Sequence, residues 1–447
     1  MAKDVQPISK LRRSLGPFDA AMIVTGAIIG AGIFMNPAES ARHLQTPAQL
    51  LLVWGVGGFV ALLGATCFAE LGVLFPRSGG QYVYLERAFN PLLGFLFGWT
   101  LFSTIQTGAL AAVSYTCARF IGYFVPLSGL ATSLLAAALI GVMSMVNYFG
   151  IRPGSIVQNI FNSLKIVALL ALIVLGIFWY RAPAFSLGPL FPGGVSLRML
   201  SLMGLALMPA LFSYGGWQNL NFVGGEVKNP GRSIPLAILT GVGLVVTVYM
   251  LSTVVYIKAL PMAKVAGSTK LASDAVQAMV GPWGAGFIAL AVIISTFGFL
   301  SVVIMTGPRV YAAMAEEGAF LPFAGRVHPR FQTPHYAILL QSAWACGLLF
   351  TKTYGQLLQF VTFGDWIFFG LTALALIVLR RKYPDAPRPY RAWGYPVVPA
   401  LFLLISAAVV VNVFVMSFTK SLVGLVIILA GLPLYAFTKA RTRNHGL

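Results

Sequence analysis

Apolar residues along this chain fall into long runs bounded by charges, prolines and glycines, near 18 to 42, 47 to 73, 91 to 119, 129 to 149, 157 to 180, 200 to 225, 234 to 258, 284 to 312, 335 to 352, 356 to 380, 395 to 418 and 421 to 438. A helix needs about 20 apolar residues to cross a bilayer, so the pattern predicts twelve membrane spans. The connections are short. The longer ones, 74 to 90, 313 to 333 and 381 to 394, are too short to fold as domains. The first of them, PRSGGQYVYLERAFN, mixes aromatic residues with both signs of charge. That composition predicts a short helix lying along the membrane interface beneath the bundle.

Composition agrees with the pattern. Of 447 residues 58% are hydrophobic and 9% charged, with a mean hydropathy of +0.85, whereas a soluble domain carries about 25% charged residues. Roughly 260 apolar residues correspond to about ten to thirteen spans. The expected fold is therefore an all-α membrane protein, with residues 1–447 as one embedded unit.

The net charge of +19 then becomes a question of sidedness rather than of nucleic acid, which is not an expected partner. Twelve spans put both termini on one side. Counted by loop, twenty basic residues share that side and nine face the other, with Lys165 left inside a span. Both termini are expected in the cytoplasm, in a plasma membrane of bacterial inner-membrane type, with lipid as the surrounding partner. Residues 1 to 17 carry Lys3, Lys10, Arg12 and Arg13, but no small-residue cleavage site follows the first apolar run. It is expected to be a retained span rather than a signal peptide.

Catalytic chemistry is not expected. Cys67, Cys117 and Cys346 lie in apolar runs and offer neither a disulfide framework nor a metal spacing. His43, His328, His335 and His445 lie in loops or at span edges, and no two carboxylates share a span at helical spacing. An intramembrane hydrolase or metalloenzyme would need such groups, so neither an enzyme nor a bound cofactor is anticipated.

Two spans carry interruptions. Thr25 precedes GAIIGAGIF at 26 to 34, and LFSYGGWQNLNF at 211 to 222 places Gly215 and Gly216 among Ser213, Gln218 and Asn219. A mid-helix glycine costs about 1 kcal/mol relative to alanine. Clustered glycines invite unwinding, which is tolerable at membrane depth only where the backbone lines a cavity or binds something. Close packing through small residues explains Gly26 and Gly30, four apart. It does not explain why the interruptions fall in spans one and six, corresponding positions of two five-helix halves. That correspondence points to a substrate site in a transporter built on inverted repeats.

GAIIGAGIF, PRSGGQYVYL and FSYGGWQNLNFVGGEVKNPGRSIP also resemble the amino acid, polyamine and organocation superfamily. Within it, YGGW and Lys165 in NIFNSLKIVALL are most similar to the L-type amino acid transporter family, and the resemblance runs to RPYRAWGYPVVP before the eleventh span. It implies a LeuT-like fold, with inverted repeats at about 18–180 and 200–380 and two extra helices at about 395–438, and an amino acid as substrate.

The expected site follows from helix ends. The amides of Gly30, Ala31 and Gly32 suit an α-carboxylate at a positive dipole end. The carbonyls of Ile28, Phe212, Ser213 and Gly215 suit an α-ammonium. Thr25, Phe212, Trp217, Asn219 and Ser301 are expected around the side chain, and the family pattern implies that Phe212 closes over the substrate. Gln218 and Asn219 depart from the animal members, where Asn and a larger residue are common. The loop at 120 to 128 lacks the cysteine through which animal members link to a single-span glycoprotein, so no heavy-chain subunit is expected.

Lys165 lies about eight residues into the fifth span, roughly 12 Å at 1.5 Å per residue, near the limit for snorkelling. The resemblance implies that it replaces the sodium ion of sodium-coupled relatives. Asp365, in FGDWIFFG, is either a proton carrier or an interfacial aspartate beside Trp366. Glu70 and Asp19 are expected near cytoplasmic span ends, solvated or paired with arginines such as Arg77. The leading expectation is sodium-independent exchange of neutral amino acids by rocking of spans one, two, six and seven. Proton-coupled uptake by the same fold is the alternative, and a non-transporting sensor or a channel is more remote. A channel would need filter-like loops, which this chain lacks.

Overall fold

The computed structural model describes residues 11–180, 186–351 and 354–444, without the side chains of 354–361 and 439–444. Lys3, Lys10, Arg181, Lys352 and His445 lie outside the described residues. Among the described residues there is no strand, and one isolated backbone bridge joins Leu15 to Val227. Eleven helices are long and apolar enough to cross a membrane. They are Pro17–Ala41, Pro47–Leu74, Pro91–Ile121, Gly129–Tyr148, Ile151–Trp179, Leu197–Phe222, Pro230–Ala259, Gly284–Glu316, Thr362–Lys382, Val397–Met416 and Phe418–Thr438. The remaining expected span is the apolar helix His335–Phe350, whose 16 residues reach about 24 Å at 1.5 Å per residue. Each predicted run thus coincides with a helix. The fifth begins earlier than its apolar run, at Ile151, because Gly150, at φ 135°, turns the chain just before it.

Two helices between the seventh and eighth spans escaped the pattern, Met262–Gly267 and Leu271–Val280. They are short and interrupted by Lys264, Lys270 and Asp274, yet Leu271, Ala272, Ala275 and Val276 form a buried stripe of helical period. The helix expected after the second span forms as Gln81–Ala88, but its surroundings differ from the expectation. Gln81, Tyr82, Val83, Tyr84 and Leu85 are all buried, and Gln81 Nε2 donates to Thr372 Oγ1 of the tenth span at 3.1 Å. It plugs the end of the bundle instead of resting on lipid.

Packing divides the spans into two groups. Trp54, Tyr214 and Tyr249 form an aromatic knot with ring centroids 5.1 to 5.9 Å apart, joining the second, sixth and seventh spans. A Cβ on Gly241 would meet Val24 at 2.7 Å, which seats the seventh span against the first. The other group is built on the third, fourth, fifth, eighth and ninth spans. Phe161 stacks on Phe297 at 5.1 Å, and the Ser144 and Ser342 hydroxyls hydrogen-bond at 2.6 Å. The site lies where the groups face each other.

Candidate functional site

The first span is two helices, Pro17–Ile28 and Gly32–Ala41, with Ile29 extended at ψ 95° between them. The amides of Gly30, Ala31 and Gly32 donate to no described carbonyl, which is the expected arrangement of free N–H groups at a helix start. The sixth span is Leu197–Tyr214, then an unwound stretch, then the short helix Asn219–Phe222. Its turn requires glycine at one place. Gly216 sits at φ 128°, and a Cβ on it would lie 2.5 Å from the Ala27 carbonyl oxygen. The two breaks therefore touch through their backbones. Tyr249 adds a bond from its hydroxyl to the Ile28 carbonyl at 3.1 Å.

A cavity of about 790 Å³ opens beside these breaks. It runs to the face opposite Leu15, where Tyr123 and Lys270 line its exposed mouth. Of the twelve residues expected at the site, Ile28, Gly30, Ala31, Gly32, Phe212, Ser213, Gly215 and Asn219 line it. Phe212 is 36% exposed on the wall, as befits an open mouth.

Thr25, Trp217 and Ser301 do not line the cavity. The Thr25 hydroxyl donates to the Ala21 carbonyl at 3.0 Å and accepts from Asn162 Nδ2 at 2.7 Å, fastening the first span to the fifth. Trp217 turns away, stacked on Phe369 at 5.2 Å. Ser301 is fully buried and donates to the Gly154 carbonyl at 3.4 Å. Asn219 lines the cavity, but its side chain is already engaged. Its Oδ1 accepts from Gln106 Nε2 at 3.0 Å and Thr306 Oγ1 at 2.8 Å, while Nδ2 donates to the Gly216 carbonyl at 3.0 Å. It holds the unwound segment in place.

Lys165 does not snorkel. It is fully buried, and Nζ donates to the carbonyls of Gly26 at 2.9 Å and Ile29 at 2.6 Å. Those carbonyls belong to the end of the first half-helix, where the lost helical bonds leave acceptors free. Ser295 assists from the eighth span, donating to the Gly30 carbonyl at 3.1 Å.

Gln106 also lines the cavity, with nothing in the apolar pattern to mark it. It follows a π-helical turn, Leu101–Ile105, in the third span, a feature common at functional sites that leaves no simple mark in an apolar run. Gln218, which departs from the animal members, accepts through its Oε1 from the Gly216 amide at 3.0 Å and pins the turn. Asp365 lies in the wall of the cavity, beside Trp366.

The opposite end, beside Leu15, is closed by contacts. Backbone amides of Ser14 and Leu15 both donate to the Glu226 carbonyl, and Lys228 N donates back to the Leu15 carbonyl, each at 2.9 Å. Below them Glu226 pairs with Arg309 at 2.7 Å, both fully buried. Burial raises the Glu226 carboxyl, and the Arg309 guanidinium opposes that shift. Arg77 does not pair with Glu70 or Asp19 as expected, but with Glu317 at 2.9 Å and Glu86 at 3.6 Å. Glu70 is fully buried, held by Arg380 at 2.5 Å, Arg388 at 3.4 Å and the Ala392 amide at 2.6 Å. Asp19 accepts from the Gly16 amide at 2.9 Å and Asn159 Nδ2 at 2.7 Å.

Known proteins resemble this chain in sequence. A family model described as amino acid permease matches residues 15–434. The human large neutral amino acids transporter small subunit 2 is 32% identical over 440 residues, covering 95% of this chain and 80% of that protein. The human b(0,+)-type amino acid transporter 1 is 32% identical over 436 residues, covering 96% and 88%. The mouse b(0,+)-type protein is 30% identical over 404 residues, covering 89% and 82%. Broken first and sixth spans around a central cavity, in a chain matched almost end to end, make this protein a member of the amino acid permease family, with a LeuT-like fold.

Proposed function

We propose that the chain exchanges neutral L-amino acids across the membrane without sodium. The observation that carries this reading is the paired break. Free amides at Gly30, Ala31 and Gly32 face the same cavity as the Phe212, Ser213 and Gly215 segment, so both charges of a zwitterion meet backbone groups and the side chain points into open space. Lys165, bonded to the Gly26 and Ile29 carbonyls, occupies the place where a cation would otherwise hold the broken first span. One relative's name specifies large neutral amino acids, in line with a site of this kind.

The repeats at about 18–180 and 200–380 would then rock around this site, with spans one, two, six and seven moving as a group. The basic asymmetry of twenty to nine supports cytoplasmic termini in a plasma membrane of bacterial inner-membrane type, and a cavity open to the outside. The uncoupled loop at 120 to 128, without cysteine, supports function without a heavy-chain subunit.

Proteoliposomes holding the purified chain alone test the whole reading. Vesicles preloaded with a neutral amino acid should take up labelled substrate much faster than empty ones, because a carrier without a driving ion returns faster when loaded. Equal rates in loaded and empty vesicles, with stimulation by external acid, would establish proton-coupled uptake instead.

A further inference from the structure

We propose that Asp365 is a subsite for a cationic side-chain end, ammonium or guanidinium, so that the protein carries cationic as well as neutral amino acids. The inference rests on the amino acid reading of the cavity.

Asp365 lies in the tenth span, in the cavity wall with its neighbours Trp366 and Phe369. The preceding Gly364 packs against the third span, where a Cβ would stand 3.3 Å from Thr100 and Ile105. That contact seats the tenth span beside the π-helical turn that carries Gln106 into the same cavity. Asp365 makes no ion pair or hydrogen bond to any described group, while Glu70, Glu226 and Glu317 inside the bundle are each held by arginine.

The available cations are elsewhere. Lys165 is spent on two carbonyls. Arg119 and Lys270 line the cavity, but among the described residues neither forms an ion pair with Asp365, and Arg119 is 13 residues beyond Gln106 on the third span, about 20 Å along a helix. A carboxylate at membrane depth is expensive unless it faces a partner or water. Here it faces the cavity, so a partner must come with the cargo. The neighbouring aromatic walls suit the methylene stem and the cationic head of a lysine or arginine, through apolar contact and cation–π attraction. With the α-carboxylate at Gly30 to Gly32, the far end of a long side chain is then read by charge.

The test is competition in proteoliposomes. Arginine should inhibit labelled leucine uptake at least ten-fold more strongly than citrulline, its uncharged near-isostere, and labelled arginine should itself enter preloaded vesicles. Asp365→Asn should lower the ratio of arginine to leucine uptake at least ten-fold, and Asp365→Glu should restore part of it. If leucine enters but citrulline competes as well as arginine, the subsite is overturned while the neutral exchanger stands. If Asp365→Asn keeps the ratio but abolishes a response to a pH gradient, the residue carries protons and the subsite is again overturned. If no amino acid enters at all, the underlying reading of the cavity has failed. The arginine to citrulline comparison needs only the unmodified protein, so a misfolded variant does not decide the matter.

Discussion

Gly216 stands so close to Ala27 that a Cβ on it would lie 2.5 Å from the Ala27 carbonyl oxygen. The two broken spans meet backbone to backbone, with φ 128° at the glycine. Gly216→Ala is therefore strained twice, by contact and by a backbone conformation that costs about 1–3 kcal/mol for a side chain. We expect a clear drop in melting temperature and loss of uptake. Gly204, on the same span with nothing within 4 Å of a built Cβ, is the control, and Gly204→Ala should hold or raise stability. Equal behaviour of the two variants would remove the argument for a tight junction.

Gly30 makes the opposite case. A Cβ there meets only Phe299, at 3.7 Å, so a side chain fits the backbone and projects into the cavity. Gly30→Leu should fold with nearly unchanged melting temperature while binding neutral amino acids at least ten-fold more weakly. Normal transport by Gly30→Leu would put the substrate elsewhere.

Replacing sodium by choline should leave uptake unchanged, since the Lys165 ammonium holds the first span through the Gly26 and Ile29 carbonyls. Lys165→Ala leaves the Gly26 carbonyl without its side-chain donor and the Ile29 carbonyl with only the Ser295 hydroxyl at 3.4 Å, at about 1–3 kcal/mol for an unsatisfied group. The variant should lose most transport and part of its thermal stability. A strong sodium requirement in the unmodified protein would count against this role for Lys165.

Near the end that carries the termini, burial, reinforced by neighbouring Glu317, pushes the Glu86 carboxyl up to about 7. A carboxyl raised in the folded state binds more protons there than in the unfolded chain, so its contribution is fully present below about 4.5 and is lost as pH rises through about 7. Glu86→Gln, which stays neutral, should therefore raise the melting temperature more at pH 8 than at pH 5. A difference of the reverse sign would mean that Arg77 and Arg87 dominate the carboxylate's surroundings.

The spans were legible because lipid demands unbroken apolar runs, and the breaks because glycine clusters defy that demand. Helix ends follow from the same logic, which makes Gly30, Ala31, Gly32 and Gly215 legible as residues beside the breaks, where they line the cavity. Side-chain facing was not. Trp217 and Ser301 sit in interrupted or small-residue stretches, yet an all-round apolar helix has no polar stripe to say which face meets the cavity. Gln106 was hidden for a related reason, because a π-turn shifts the facing of everything beyond it without altering composition. Long-range pairs such as Glu70 with Arg380, 310 positions apart, depend on which span ends neighbour each other. Nothing local encodes that.

The closure at the terminal end is made by main chain, with Ser14, Leu15, Glu226 and Lys228 joined by three bonds of 2.9 Å. A latch of this kind is indifferent to side-chain identity but sensitive to imino acids. Leu15→Pro would delete one of its donors, while Leu15→Ile keeps all three. Under the proposed rocking of the repeats, this segment would have to unzip for that face to open, so rigid fusions just ahead of residue 14 should slow turnover without altering which amino acids are chosen.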